Sequence, residues 1–78
     1  MKLPRGLSGD EAVRAFRRTG WQVFRMTGSH IVLEKEGEEF NLSIPRHDEL
    51  GHGLLRHQIR LAGLSVEQFV QLLRKNKR

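Results

Sequence analysis

The stretch Trp21-Gln22-Val23-Phe24-Arg25-Met26-Thr27-Gly28-Ser29-His30-Ile31-Val32-Leu33-Glu34-Lys35-Glu36-Gly37-Glu38-Glu39-Phe40-Asn41-Leu42-Ser43-Ile44 decides the fold. Much of it alternates apolar and polar residues at a period of two, the spacing of strands with one buried face. Trp21 to Met26 is aromatic and β-branched enough for a first strand. Thr27-Gly28-Ser29 is the turn, and His30 to Lys35 is the second strand. Glu36-Gly37 makes a tight turn into a third strand, Glu38 to Ile44. There Phe40, Leu42 and Ile44 alternate with Glu39, Asn41 and Ser43, so the apolar set is expected to face inward. In the second strand Ile31 and Leu33 are expected inward, and His30 and Glu34 outward with Val32 between them. This parity puts His30 on the open face of a meander, at the lip of a glycine-containing turn. The first strand carries apolar groups on both faces, and its parity stays open.

Before this stretch the period is 3.6. Ser8-Gly9-Asp10-Glu11 fits a capping box, with Asp10 and Glu11 at the positive end of the helix dipole. The helix is expected to run to about Thr19 and stop at Gly20. Ala12, Val13 and Phe16 share one side, and Arg14, Arg17 and Arg18 the other. After the stretch, Pro45 ends the third strand, and Pro45 to Gly53 is a polar, glycine-rich loop. A second helix is expected from about Leu54 to Ala62, with Leu54, Leu55, Ile59 and Ala62 as its apolar arc and Arg56, His57 and Arg60 across from it. Gly63 is the expected C-cap. Ser65-Val66-Glu67-Gln68 fits a second capping box and opens a third helix with Val66, Phe69, Val70 and Leu73 inward. The tail Arg74-Lys75-Asn76-Lys77-Arg78 is expected to fray. The order α-β-β-β-α-α is an α+β fold, a three-stranded antiparallel sheet with helices on one face. It resembles the double-stranded-RNA-binding layout with an extra short helix.

At 78 residues the chain is expected to form a single domain, 1–78, with a modest core. Cysteine is absent, which excludes disulfides and thiolate chemistry. No apolar run approaches the roughly 18 residues that cross a bilayer. Met1 to Gly6 holds no apolar leader segment, so the expected location is the cytoplasm, without a membrane partner. The net charge is +5, and ten of the fourteen cations are arginine, whose planar fork matches a phosphate. Two basic regions flank an acidic middle at residues 34–45. This charge either solubilises the chain or meets a polyanion, of which nucleic acid is the better fit.

Several stretches taken together resemble the HicA-type toxins of toxin–antitoxin pairs. They are Gly28-Ser29-His30 after the first strand, Pro45-Arg46-His47 after the third, Gly53 opening a helix, and Arg60 to Phe69 toward the C-terminus. The resemblance runs from about Ser8 to Leu73 in the same order and spacing. It implies an mRNA interferase: a metal-independent endoribonuclease that cleaves mRNA and is held inactive by a HicB-type antitoxin. The family's catalytic histidine falls on His30. Where the family usually has a Pro-Lys pair before the helical glycine and a threonine after it, this chain has Gly51-His52 and Leu54. Two other readings stand beside this one: a non-catalytic RNA-binding module of the same fold, and a degenerate toxin acting mainly through antitoxin assembly.

The residues themselves allow the chemistry. RNA carries its own nucleophile, the 2′-OH beside the scissile phosphate, so the protein must move protons and stabilise charge. Imidazole suits the proton steps because its ordinary pKa, about 6.5, lies near working pH. His30 has the type and the outward position for this role, and His47 is a candidate second proton carrier. Gly28 either makes the hairpin or lets a phosphate approach the backbone, and Ser29 offers a hydroxyl. Arg14, Arg17, Arg18, Arg46, Arg56 and Arg60 are candidate phosphate contacts, or solvated helix backs where they lie on helices. Glu34 either orients His30 or solvates the sheet. Trp21 is the one loose candidate for base stacking, the phenylalanines reading mostly as core. His47, His52 and His57 are spaced by five, which turns a helix by about 140° and does not converge them on a metal. No cofactor is expected.

Overall fold

The computed structural model describes residues 2–74. The elements are α1 (Gly9–Arg17), β1 (Gln22–Met26), β2 (His30–Glu34), β3 (Leu42–Pro45), α2 (His52–Leu61) and α3 (Val66–Arg74). Lys75 to Arg78, most of the tail expected to fray, lies outside the described residues, and Arg74 closes α3. Both capping boxes form. Ser8 Oγ accepts from Glu11 N at 3.1 Å and Glu11 Oε1 from Ser8 N at 2.9 Å. The Ser65–Gln68 pair repeats this at 3.0 and 2.8 Å. Gly20 and Gly63, at φ 101° and 77°, turn the chain out of α1 and α2 in a backbone region that favours glycine.

The sheet is antiparallel in the order β1-β2-β3. Ile31, Leu33, Leu42 and Ile44 are buried on its inner face against Phe16, Leu55, Ile59 and Phe69 of the helices. The Phe16 and Phe69 rings lie 4.9 Å apart, joining α1 to α3. Packing falls mainly on β3, which both α1 and α2 contact. Leu3, Leu7 and Leu50 enter the same core from outside the regular elements.

Four expectations are corrected. The third strand begins at Leu42 rather than Glu38, and Phe40 is 65% exposed. The turn closes where Glu38 N donates to Lys35 O, but β2 and β3 pair with Leu33 opposite Leu42. Those two registers differ by two residues, and the surplus leaves the ladder around Glu39 and Phe40. Leu54 is exposed and α2 starts two residues earlier, at His52. Gln58 takes the place expected of Leu54 on the buried side, because its Oε1 accepts the β3 hydrogen bond from Ser43 N at 3.0 Å. Trp21 precedes β1 and is buried, so it is no stacking surface. The phenylalanines divide evenly: Phe16 and Phe69 are core, and Phe24 and Phe40 are exposed.

Candidate functional site

β2 shows the alternation expected of it. Ile31 and Leu33 are buried, Val32 is half-buried, and His30 and Glu34 are exposed on the face away from the helices. His30 opens the strand directly after the β1–β2 turn. Thr27 organises that turn. Its Oγ1 accepts from Ser29 N at 3.2 Å and His30 N at 3.0 Å, and its backbone N donates to His30 O at 2.9 Å. The hydroxyl thereby holds amides that would otherwise be unpaired at a hairpin tip. Ser29 Oγ lies 3.0 Å from His30 Nδ1. The hydroxyl can serve either imidazole tautomer, and in both the Nδ1 edge is occupied and Nε2 is the nitrogen left for a substrate.

The chain leaving β3 braces the same turn. His30 pairs with Pro45, Arg46 N donates to Ser29 O at 2.8 Å, and Arg46 Nη1 reaches Thr27 O at 3.5 Å. Arg46 is exposed, so its guanidinium stands beside the hairpin and remains open to solvent. On its other side this segment is tied to the N-terminal region by Gly9 N donating to His47 O and Leu50 N to Leu7 O. His47 is exposed next to Arg46.

Gly28 is informative because the turn makes no demand for it. Its φ lies outside the left-handed region, and a Cβ added there would meet nothing within 4 Å. The hairpin explanation of this glycine therefore loses its steric basis.

β1 carries a cation that the sequence left unassigned. Val23 pairs with Leu33 and Met26 with Ile31, whereas Arg25 pairs with Val32, and a bulge between Val23 and Arg25 absorbs one residue. Directly paired residues share a face, so Arg25 stands on the open face with Val32 and His30. His30 is its diagonal neighbour, at about 7–8 Å for such pairs and within reach of a long side chain. Simple alternation from Val23 would have sent Arg25 inward, which is why the sequence did not reveal it.

The remaining candidates lie elsewhere. Arg14, Arg17 and Arg18 are exposed on α1, and Arg56 and Arg60 on α2, in the helical layer behind the sheet. Glu34 closes β2 about 13 Å along the strand from His30, too far to orient it, and pairs with Gln22. His52 Nε2 lies 3.3 Å from Pro4 O, and His57 is exposed further along α2. Among the described residues no cluster of three His, Asp or Glu could hold a metal ion. No helix among them is long and apolar enough to cross a membrane. A cleft lined by Gly20, Gln22, Glu34, Lys35 and Glu36 sits at the opposite end of β2 from His30. The arrangement at His30 is an open ledge instead, suited to a polymer backbone: an imidazole, a hydroxyl, two arginines and an uncrowded glycine.

No curated protein matches the chain. A family model described as HicA toxin of bacterial toxin–antitoxin matches residues 9–64, from the first residue of α1 to just beyond α2. The match takes in the Thr27–His30 turn and the Pro45–His47 segment that braces it. The chain belongs to the HicA family of toxins of bacterial toxin–antitoxin systems.

Proposed function

We propose that this chain is a metal-independent endoribonuclease that cleaves mRNA, with His30 as general acid/base. The observation that carries the reading is the exposed imidazole at the hairpin lip, its Nδ1 held 3.0 Å from Ser29 Oγ and its Nε2 left for substrate. In the proposed reaction the ribose 2′-oxygen attacks the adjacent phosphorus as its proton leaves. The bond from phosphorus to the 5′-oxygen breaks, and that oxygen takes up a proton. The products are a 2′,3′-cyclic phosphate and a 5′-hydroxyl. His30 serves one of these proton transfers, and His47 or water serves the other. Arg46 and Arg25 are the cations placed to meet charge developing on the phosphoryl oxygens. Ser29 orients the ring, and Gly28 leaves room for the phosphate to approach the backbone. The arginines of α1 and α2 stand behind the sheet and add to the chain's overall positive charge, and with Arg25 and Arg46 on the His30 side they predict salt-sensitive binding.

Membership of a toxin–antitoxin family implies an antitoxin partner. We take that partner to be of the HicB type and the site of action to be the cytoplasm. Digestion of mRNA by wild type and His30→Ala in EDTA tests the reaction. The expected result is cleavage by wild type with EDTA present and a loss of about 10²–10⁴-fold in the variant. Undiminished cleavage by the variant would remove His30 from the mechanism, and abolition by EDTA would overturn metal independence. A non-catalytic RNA-binding module would bind RNA with no cleavage by either protein.

A further inference from the structure

The open face holds one large group that neither the core nor the proposed proton transfers use. Phe24 is 56% exposed and occupies the bulge in β1. Val23, in register with Leu33, faces the helix side, so strand alternation carries Phe24 to the opposite face. The bulge then holds Arg25 on that face as well, across from Val32. An aromatic ring and a guanidinium thus stand side by side on the strand next to His30. A continuous strand of the same sequence would have turned the arginine away.

We propose that Phe24 and Arg25 form a subsite for one nucleotide of single-stranded RNA, the unpaired base stacking on the Phe24 ring and its phosphate meeting the Arg25 guanidinium. The subsite deepens the ribonuclease reading and rests on it. Two features favour RNA over an apolar protein segment as the occupant. The residues sharing this face with Phe24 are Gln22, Arg25, His30 and Glu34 around the half-buried Val32, so it is mostly polar, whereas the apolar Val23 and Met26 belong to the other face. The chain's net charge of +5 also complements a polyanion. Stacking needs an unpaired base, so the substrate class is single-stranded or looped RNA, and every base offers the ring a π-face.

The probe is a short single-stranded oligoribonucleotide with 2′-fluoro sugars, which lack the nucleophile and so bind without being cleaved. Its Kd is measured by fluorescence anisotropy for wild type, Phe24→Ala, Phe24→Trp, Arg25→Gln and the double variant Val23→Ser/Met26→Ser. Thermal melts verify that each variant is folded. Phe24→Ala is expected to weaken binding by roughly tenfold to a hundredfold, the range of one lost base–aromatic stack, and Phe24→Trp to retain it. Arg25→Gln is expected to weaken binding and to lower the slope of log K against log salt by about one. An oligonucleotide of abasic residues should bind wild type and Phe24→Ala equally, a result that a merely structural role for Phe24 would not give. If wild type binds and Phe24→Ala binds equally well, the face belongs to protein contacts and the subsite is overturned. Equal losses in the Val23/Met26 double variant would overturn it too. Failure of wild type to bind any RNA would instead overturn the ribonuclease reading, and the subsite with it.

Discussion

β1 and β3 are the two edge strands of one small sheet, and the molecule finishes them in opposite ways. In β3, Leu42, Ile44 and Pro45 are buried, α1 and α2 both pack against the strand, and Gln58 takes the outward N–H of Ser43. In β1 all five residues are exposed, three of them apolar, and a bulge breaks the regular ladder. An open edge with apolar side chains is a hazard for mispairing, and a bulge is one of the devices that blunts it. The contrast separates two tasks. The β3 half anchors the fold, and the β1–β2 half presents the proposed site on a surface that packing has left alone. Substitutions on the β3 side should therefore cost stability, and substitutions around the hairpin should cost function with little change in stability.

The largest loss of stability is expected at Gly9. An added Cβ there would overlap the carbonyl oxygen of Pro45, and a backbone carbonyl tied into the end of β3 has little room to yield. Gly9→Ala is expected to cost about 3 kcal/mol, the upper end for overpacking, read from urea unfolding. A midpoint equal to that of wild type would mean that the junction of α1 with β3 is soft. Gln58→Ala comes next. It strips the Ser43 N–H of its partner at a part-buried position, so the expected cost is about 1–2 kcal/mol. The same unfolding experiment would show whether solvent satisfies that edge as readily as it does the edge of β1.

How much of this was legible depended on whether a residue's direction followed from its own segment. The capping pairs Ser8–Glu11 and Ser65–Gln68 could be read because each closes within one turn. Strict alternation in β2 likewise put His30 outward and Ile31 and Leu33 inward. What failed depended on another element. Phe40 was lost to a mismatch between the turn and the β2–β3 register. Gln58 outranks Leu54 because β3 has an amide to satisfy, a demand invisible along α2 itself. Arg25 and Phe24 share the His30 face through the bulge, which no period-two reading contains. At the candidate site, the imidazole was visible in the sequence and its cationic and aromatic neighbour strand was not.

Gly28→Ala has the smallest expected effect on stability and divides the two halves most sharply, because stability and activity should move in opposite directions. The backbone at Gly28 has no positive φ, and its Cβ direction is empty. Removing a glycine from such a position narrows the unfolded ensemble and typically stabilises by about 0.4–1 kcal/mol. Thermal unfolding should therefore occur slightly above the wild-type temperature. RNA cleavage should nevertheless fall, since a methyl group at the tip would hold the phosphate away from Nε2 of His30. Misplacement of reacting groups by about 1 Å is worth on the order of 10²-fold in rate. A destabilised variant would return Gly28 to the role of a turn residue and weaken the distinction between the anchoring and presenting halves. A stabilised variant with full activity would show that the scissile phosphate approaches from another side of the imidazole. Only the combination of a higher melting temperature and slower cleavage fits a glycine kept for the substrate rather than for the chain.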